Sequence, residues 1–211
     1  MRAFNEQSLR LYLVTDRAAA SGRSISDVVL EAVKGGVTMV QLREKACSTR
    51  DFVALGCELR KILSPFGVPL IVNDRVDVAL ACNADGVHIG QSDMPYDIAR
   101  RLLGPDRIIG LSVECMEDVY AANSLDVDYI GVSPVFSTPT KTDTARPFGL
   151  EGLREAVRAS VHPVVGIGGI NASNVSDVIL CGADGIAVVS AVMSADSPLL
   201  AARVLLDKMN C

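Results

Sequence analysis

Eight short apolar runs, most of them β-branched, recur along the chain, each giving way to polar or small residues and then to a stretch with helical spacing. The runs are LYLVT from Leu11, MVQLR from Met39, PLIVN from Pro69, GVHIG from Gly86, IIGLS from Ile108, YIGVS from Tyr129, VVGIG from Val164 and IAVVS from Ile186. Unbroken apolar runs of this length mark strands covered on both faces. Between them, stretches such as ISDVVLEAVKGG, MPYDIARRLLG and GLEGLREAVRAS place apolar residues three and four apart, so each helix has one face to lay on a sheet. Strand alternating with helix from end to end predicts parallel strands joined by right-handed crossovers. Eight such units in 211 residues leave no spare domain. The expectation is one α/β domain over residues 1–211, a (β/α)8 TIM barrel, with an open doubly wound sheet as the alternative. The open sheet would carry a GxGxxG turn after its first strand, where TDRAAASGRS stands instead.

Local signals punctuate these units. Ser26, Ser48, and Ser173 or Asn171 stand where a helix needs an acceptor for its orphan amides. Gly35 and Gly36, Gly67, Gly104 and Gly182 fall where a helix ends in a left-handed residue. One connection, Pro134 to Gly149, is longer than the two to six residues usual between strand and helix, and reads as a mobile lid that binds an anion or as an ordinary solvated loop.

The net charge of −5 argues against a nucleic-acid surface, which needs a basic face. No apolar run reaches the roughly 18 residues of a membrane span. The N-terminal MRAFNEQSLRLYLVTDR carries charges where a signal peptide needs its apolar stretch, so the expected location is cytoplasmic. Six widely spaced cysteines contain no CxxC pair and read as reduced thiols, with Cys115 the best placed to reach the rim. The partners expected are therefore small molecules, and an anionic one must be held locally by helix ends, a few cations or a metal ion.

In a parallel barrel all strand endings share one face, where the active site is built. At the second ending, Gln41, Arg43 and Lys45 alternate and point the same way in an extended chain. Gln41 can read a polar ring edge while the two cations meet phosphate oxygens; the plain alternative is an ion-pair cluster with Glu44 or Asp16. Asn73 and Asp74 follow the third run and Asp93 the fourth. Two carboxylates from neighbouring strand ends can hold Mg²⁺ with waters and phosphate oxygens completing its shell, and either can also cap a helix. His88 inside an apolar strand reads as a hydrogen-bonded core residue rather than a ligand. Ser112 ends the fifth run without a GxSxG elbow, which suits a hydrogen-bonding pocket serine better than a hydrolase nucleophile. Thr138, Pro139, Thr140 and Lys141 offer hydroxyls, amides and an ammonium that can follow a polyphosphate. GIGGIN at Gly166 to Asn171 and VVSAV at Val188 to Val192 follow the last two strands, where backbone amides and a helix N-terminus make a phosphate site; read alone, GIGG is a tight turn.

Taken in order, QLREK, Asn73 with Asp74, HIGQSD through Asp93, GLS at Ser112, TPTK, GIGGI and VVS resemble the thiamine phosphate synthase family from about Leu11 to about Met193. The resemblance implies a barrel that joins 4-amino-2-methyl-5-hydroxymethylpyrimidine diphosphate to a thiazole phosphate, releasing pyrophosphate. It further implies that the segment Gln41, Leu42, Arg43, Glu44 and Lys45, with Asn73 and Lys141, binds the pyrimidine diphosphate. Ser112 then lies near the pyrimidine and its leaving group, and Asp74 and Asp93 ligate Mg²⁺. Thr138, Pro139 and Thr140 contact the thiazole, and Gly169, Val189 and Ser190 hold its phosphate. Arg43, Lys45, Ser112 and Lys141 are the residues expected to act in catalysis. Two other readings stand beside this one: a thiazole tautomerase of the same fold, and a noncatalytic phosphate-sensing barrel. A homo-oligomer is left open.

Overall fold

Each apolar run forms a strand: β1 Leu11–Val14, β2 Met39–Leu42, β3 Leu70–Asn73, β4 Gly86–Ile89, β5 Ile108–Val113, β6 Tyr129–Val132, β7 Val164–Ile167 and β8 Gly185–Val188. In the computed structural model, which describes residues 5–138 and 146–210, these strands close in sequence order into a parallel barrel, with β8 pairing back to β1. Around it lie α1 Ile25–Lys34, α2 Thr49–Leu63, α3 Val76–Ala81, α4 Tyr96–Leu103, α5 Met116–Ala122, α6 Gly149–Ala159, α7 Val175–Leu180, α8 Ser190–Met193 and α9 Pro198–Met209. The TIM barrel expectation holds, and the open sheet is excluded by closure. Among the described residues no helix is long and apolar enough to cross a membrane.

Strand side chains alternate between two apolar populations. Leu11, Leu13, Val40, Leu42, Leu70, Val72, Ile109 and Ile130 belong to the outer layer packed under the helices. Tyr12, Val14, Met39, Ile71, Tyr129, Val165 and Ala187 fill the interior. The register carries the inward set to polar residues at the strand ends: Val14 pairs with Gln41, Asn73 with His88, and His88 with Gly110 two residues before Ser112. The continuity of the runs therefore hides a two-sided pattern, apolar outward and increasingly polar inward toward the C-terminal mouth.

A repeated device closes the opposite end. The residue before each even-numbered strand accepts a hydrogen bond from a backbone amide at the start of the preceding odd one. Thr38 Oγ1 accepts from Leu11 (2.9 Å), Asp85 Oδ2 from Leu70 (2.9 Å), Asp128 Oδ2 from Ile109 (2.8 Å) and Asp184 Oδ2 from Val164 (2.7 Å). A 3₁₀ turn at Glu6–Leu9, which periodicity does not announce, drops the buried Leu9 under the barrel; a Cβ on Gly185 would lie 1.9 Å from the Leu9 carbonyl oxygen, so glycine is required there.

Several local expectations are corrected. The cap of α1 is Ser24, whose hydroxyl accepts from Asp27, while Ser26 lies buried within the helix. Ser48 caps α2 as expected. Neither Ser173 nor Asn171 caps α7: the cap position is Asn174, which turns its amide oxygen back to the Asn171 N–H. Gly36, Gly67, Gly104 and Gly182 have positive φ, but Gly35 is right-handed and is glycine because α9 passes too close for a side chain, with Leu199 O only 2.3 Å from an added Cβ. Val189 lies beyond β8, and Ser190 opens the short helix α8.

Asp85 is buried, with one side-chain oxygen on Leu70 N and the other 3.6 Å from the Arg60 guanidinium. Asp85→Ala should lower stability by about 2 kcal/mol, the cost of stranding a buried amide, and shift the urea midpoint down at constant m. An unchanged midpoint would show that this bond contributes nothing.

Candidate active site

The strand ends and the loops beyond them surround a cavity of about 760 Å³ at the C-terminal mouth. That size lies in the upper part of the range for small-molecule sites. Its walls differ in chemistry.

On the β2 to β4 side, Gln41, Arg43 and Lys45 line the cavity together, as the alternation requires. Arg43 bonds Asp16 at 3.0 Å and Lys45 bonds Asp74 at 2.6 Å, so the cations meet carboxylates and also face the cavity. The ion-pair reading and the ligand reading thus hold for the same residues. Glu44 points elsewhere, to Arg17 at 2.8 Å, and Leu42 is fully buried in the outer layer. Neither side chain lines the cavity, so a ligand would reach these two only through their backbone.

Asp74 sits in the left-handed region, φ 61°, at the tight turn that ends β3, where a short polar residue is tolerated. Its amide donates to His88 O at 2.9 Å, and Asn73 Nδ2 donates to Asp74 Oδ1 at 2.7 Å, so the neighbouring strand and residue both orient the carboxylate. Asp93 Oδ2 accepts from Gly90 N at 2.7 Å. Burial raises the Asp93 carboxyl above the usual carboxylate range, and the Asp74 carboxyl against it raises it further, while the Gly90 amide and Lys45 pull the other way. Two carboxyls brought together across a strand boundary fit a hard divalent cation, which would remove their repulsion. Among the described residues no cluster of three or more His, Cys, Asp or Glu side chains surrounds a metal position. A cation held by this pair would therefore keep several positions for water and phosphate oxygens, as Mg²⁺ does.

The opposite wall is backbone. Gly168 and Gly169 have φ of 103° and 65°, and a Cβ would approach Pro134 Cβ to 2.7 Å at the first and Phe136 Cβ to 2.8 Å at the second. The turn is pressed against the start of the long connection after β6, which only glycine allows. Gly169, Val189 and Ser190 line this side, and Thr138 borders it. Pro139, Thr140 and Lys141, with the tip of the expected lid, lie outside the described residues.

The floor holds residues to which the strand pattern gave no role. His88, read above as a bonded core residue, is buried and bonded, and it also lines the cavity. Its Nε2 lies 2.8 Å from Ser112 Oγ, and its Nδ1 3.0 Å from the Tyr129 hydroxyl. Gln91 Nε2 donates to Ser112 O at 2.7 Å. Tyr12 and Tyr129 look like core aromatics in sequence; the signal that could have exposed Tyr129 is the glycine at the centre of IIGLS, where a Cβ would lie 2.4 Å from its hydroxyl, while the glycine of YIGVS makes room for His88.

A closed parallel barrel that gathers polar side chains and a glycine turn around one cavity at its strand ends has the architecture of the TIM-barrel enzymes, whose active sites sit on that face. Comparison with known proteins narrows the class. Residues 11–192 match the family described as thiamine monophosphate synthase. A thiamine-phosphate synthase of Albidiferax ferrireducens is 59% identical over 95% of this chain and 93% of its own, and one of Vibrio parahaemolyticus is 50% identical over 95% and 98%. The solved structure of a thiamine phosphate pyrophosphorylase from Pyrococcus furiosus superposes with a TM-score of 0.90 at 41% identity, covering 97% of each chain. The chain belongs to the thiamine monophosphate synthase family and is an enzyme of the transferase type.

Because Asp93 must be ionised to ligate a cation, its raised pKa extends proton competition to higher pH than an ordinary carboxylate would. Without metal, the same shift makes the folded state lose stability as pH rises through that value. A divalent cation held by Asp74 and Asp93 would therefore raise the unfolding temperature more at about pH 7.5 than at about pH 5. An equal rise at both would separate Asp93 from metal binding.

Proposed function

We propose that this enzyme condenses 4-amino-2-methyl-5-hydroxymethylpyrimidine diphosphate with a thiazole phosphate, forming thiamine monophosphate and pyrophosphate. The observation that carries the reading is the pairing of two unlike walls in one cavity: Arg43 and Lys45 beside the Asp74 and Asp93 carboxyls, and the Gly168 to Ser190 backbone wall opposite. The first suits a diphosphate accompanied by a cation, and the second suits a monophosphate. The relatives' names point the same way and do not favour the thiazole tautomerase reading, which has no use for the first wall.

Asp74 and Asp93 would hold the Mg²⁺, which when bound supplies positive charge to the diphosphate oxygens. Lys45, no longer needed to balance Asp74, turns its ammonium to the same oxygens, and Arg43 presents a planar fork beside it. Both favour the bond-breaking state, because negative charge on the leaving pyrophosphate grows as the C–O bond lengthens. By the family resemblance, Lys141 would add a third cation. The electron-rich aminopyrimidine stabilises the carbon left behind, so substitution is dissociative. Ser112 stands at the floor to hydrogen-bond the reacting group. Val189, Ser190 and Gly169 anchor the thiazole phosphate and thereby aim the ring nitrogen at that carbon. The nitrogen attacks with its own lone pair and loses no proton, so the nucleophile requires no general base.

Mixing both substrates with Mg²⁺ should release pyrophosphate, and omitting either should abolish the release. Tight monophosphate binding without turnover would replace the enzyme reading by a phosphate sensor. Asp74→Ala or Asp93→Ala should slow turnover by about 100-fold or more at low Mg²⁺. Near-normal rates in a chelated assay would discard the metal role.

A further inference from the structure

Beneath the mouth, five polar side chains from five strands form one unbroken row. Gln41 Nε2 donates to the Tyr12 hydroxyl at 2.8 Å. The Tyr12 hydroxyl lies 2.9 Å from that of Tyr129, which lies 3.0 Å from His88 Nδ1, and His88 Nε2 lies 2.8 Å from Ser112 Oγ. Burial pushes the pKa of both phenols up, so each keeps its proton and has one to donate.

One proton per hydroxyl makes the row directional. With the Gln41 amide donating at one end, the arrangement that uses every proton along the row has Tyr12 donating to Tyr129 and Tyr129 to His88 Nδ1. The imidazole then carries its proton on Nε2 and donates to Ser112, whose own proton turns to the cavity. Gln41 is left with its carbonyl oxygen and second N–H as the edge facing a ligand. Reversing one member would require reversing all of them.

We propose that this row sets ligand specificity: Tyr12, Tyr129 and His88 are positioning residues that lock Gln41 to recognise a ring nitrogen acceptor beside an exocyclic amino donor, and to reject the corresponding oxo ring. The inference rests on the proposed function for the identity of the ring. The space given to the row is independent of that reading. A Cβ on Gly110 would lie 2.1 Å from Tyr129 Cζ and 2.6 Å from His88 Nδ1, and one on Gly131 would lie 3.2 Å from His88 Cε1. Glycine weakens a strand interior, and here two neighbouring strands carry it where the tyrosine and histidine cross. An oxo ring presents N–H and carbonyl where the amino ring presents nitrogen and amino group, so it meets like against like along the Gln41 edge.

The test pairs kinetics with spectroscopy on the full chain. The wild type should prefer the aminopyrimidine diphosphate over its 4-oxo analogue by on the order of 100-fold in kcat/KM. Tyr12→Phe, which frees the amide to rotate, should cut that ratio by about tenfold. General damage to the barrel would slow both rings alike, and an unchanged ratio in the variant overturns the proposal. The chain has two histidines, so ¹⁵N-histidine spectra of the wild type, with His162→Gln for assignment, read His88 directly even if the tyrosine variant does not fold. A protonated Nε2 with an accepting Nδ1 is the expected tautomer, and a proton on Nδ1 overturns the row's direction. If neither ring releases pyrophosphate, the functional reading fails, while the His88 spectrum still decides the row.

Discussion

A polar atom set deep in a closed barrel meets little water, and this constraint organises the site. Gln41, His88 and the Tyr12 and Tyr129 hydroxyls can occupy inward positions only because each bonds another, and among the described residues no buried side-chain nitrogen or oxygen lacks a partner. The bonds cross between strands, so the register of the sheet and the direction of each side chain are fixed together. A slip of one residue in β4 would turn His88 outward among the helices, and the row would lose its centre.

The two ends of the barrel divide the work. At the N-terminal end, Thr38, Asp85, Asp128 and Asp184 repeat one bond around the ring and hold the strands by their first amides. At the other end the same strands release polar side chains upward, and the mutually repelling Asp74 and Asp93 carboxyls meet there with Lys45 against Asp74. The site can carry that electrostatic cost because the closure beneath it is independent of it.

Much of this was legible in the sequence. The eight apolar runs announce the strands to within a residue or two, because buried parallel strands demand uninterrupted β-branched sequence. Gln41, Arg43 and Lys45 are legible as a set because alternation alone puts them on one side. The cap at Ser24 was not, since Ser26 satisfies the same pattern two residues on and only the geometry of the helix entry separates them. Gly35 illustrates a second limit: its need comes from α9, more than 160 residues later, which no local signal encodes. Tyr12 and Tyr129 were hidden for the same reason, because a tyrosine in an apolar run reads as core until its hydroxyl is seen to meet another strand; His88 was legible as a bonded core residue, and only its place on the cavity floor was not.

The central claim is that one mouth holds two different anions on opposite walls. A crystal structure of the protein with Mg²⁺, pyrophosphate and a thiazole phosphate tests it most directly. The account predicts pyrophosphate and the cation against Arg43, Lys45, Asp74 and Asp93, with the thiazole's phosphate on the amides of Gly169 and Ser190. Both anions on the same wall, or a cation bound away from Asp74 and Asp93, would contradict it.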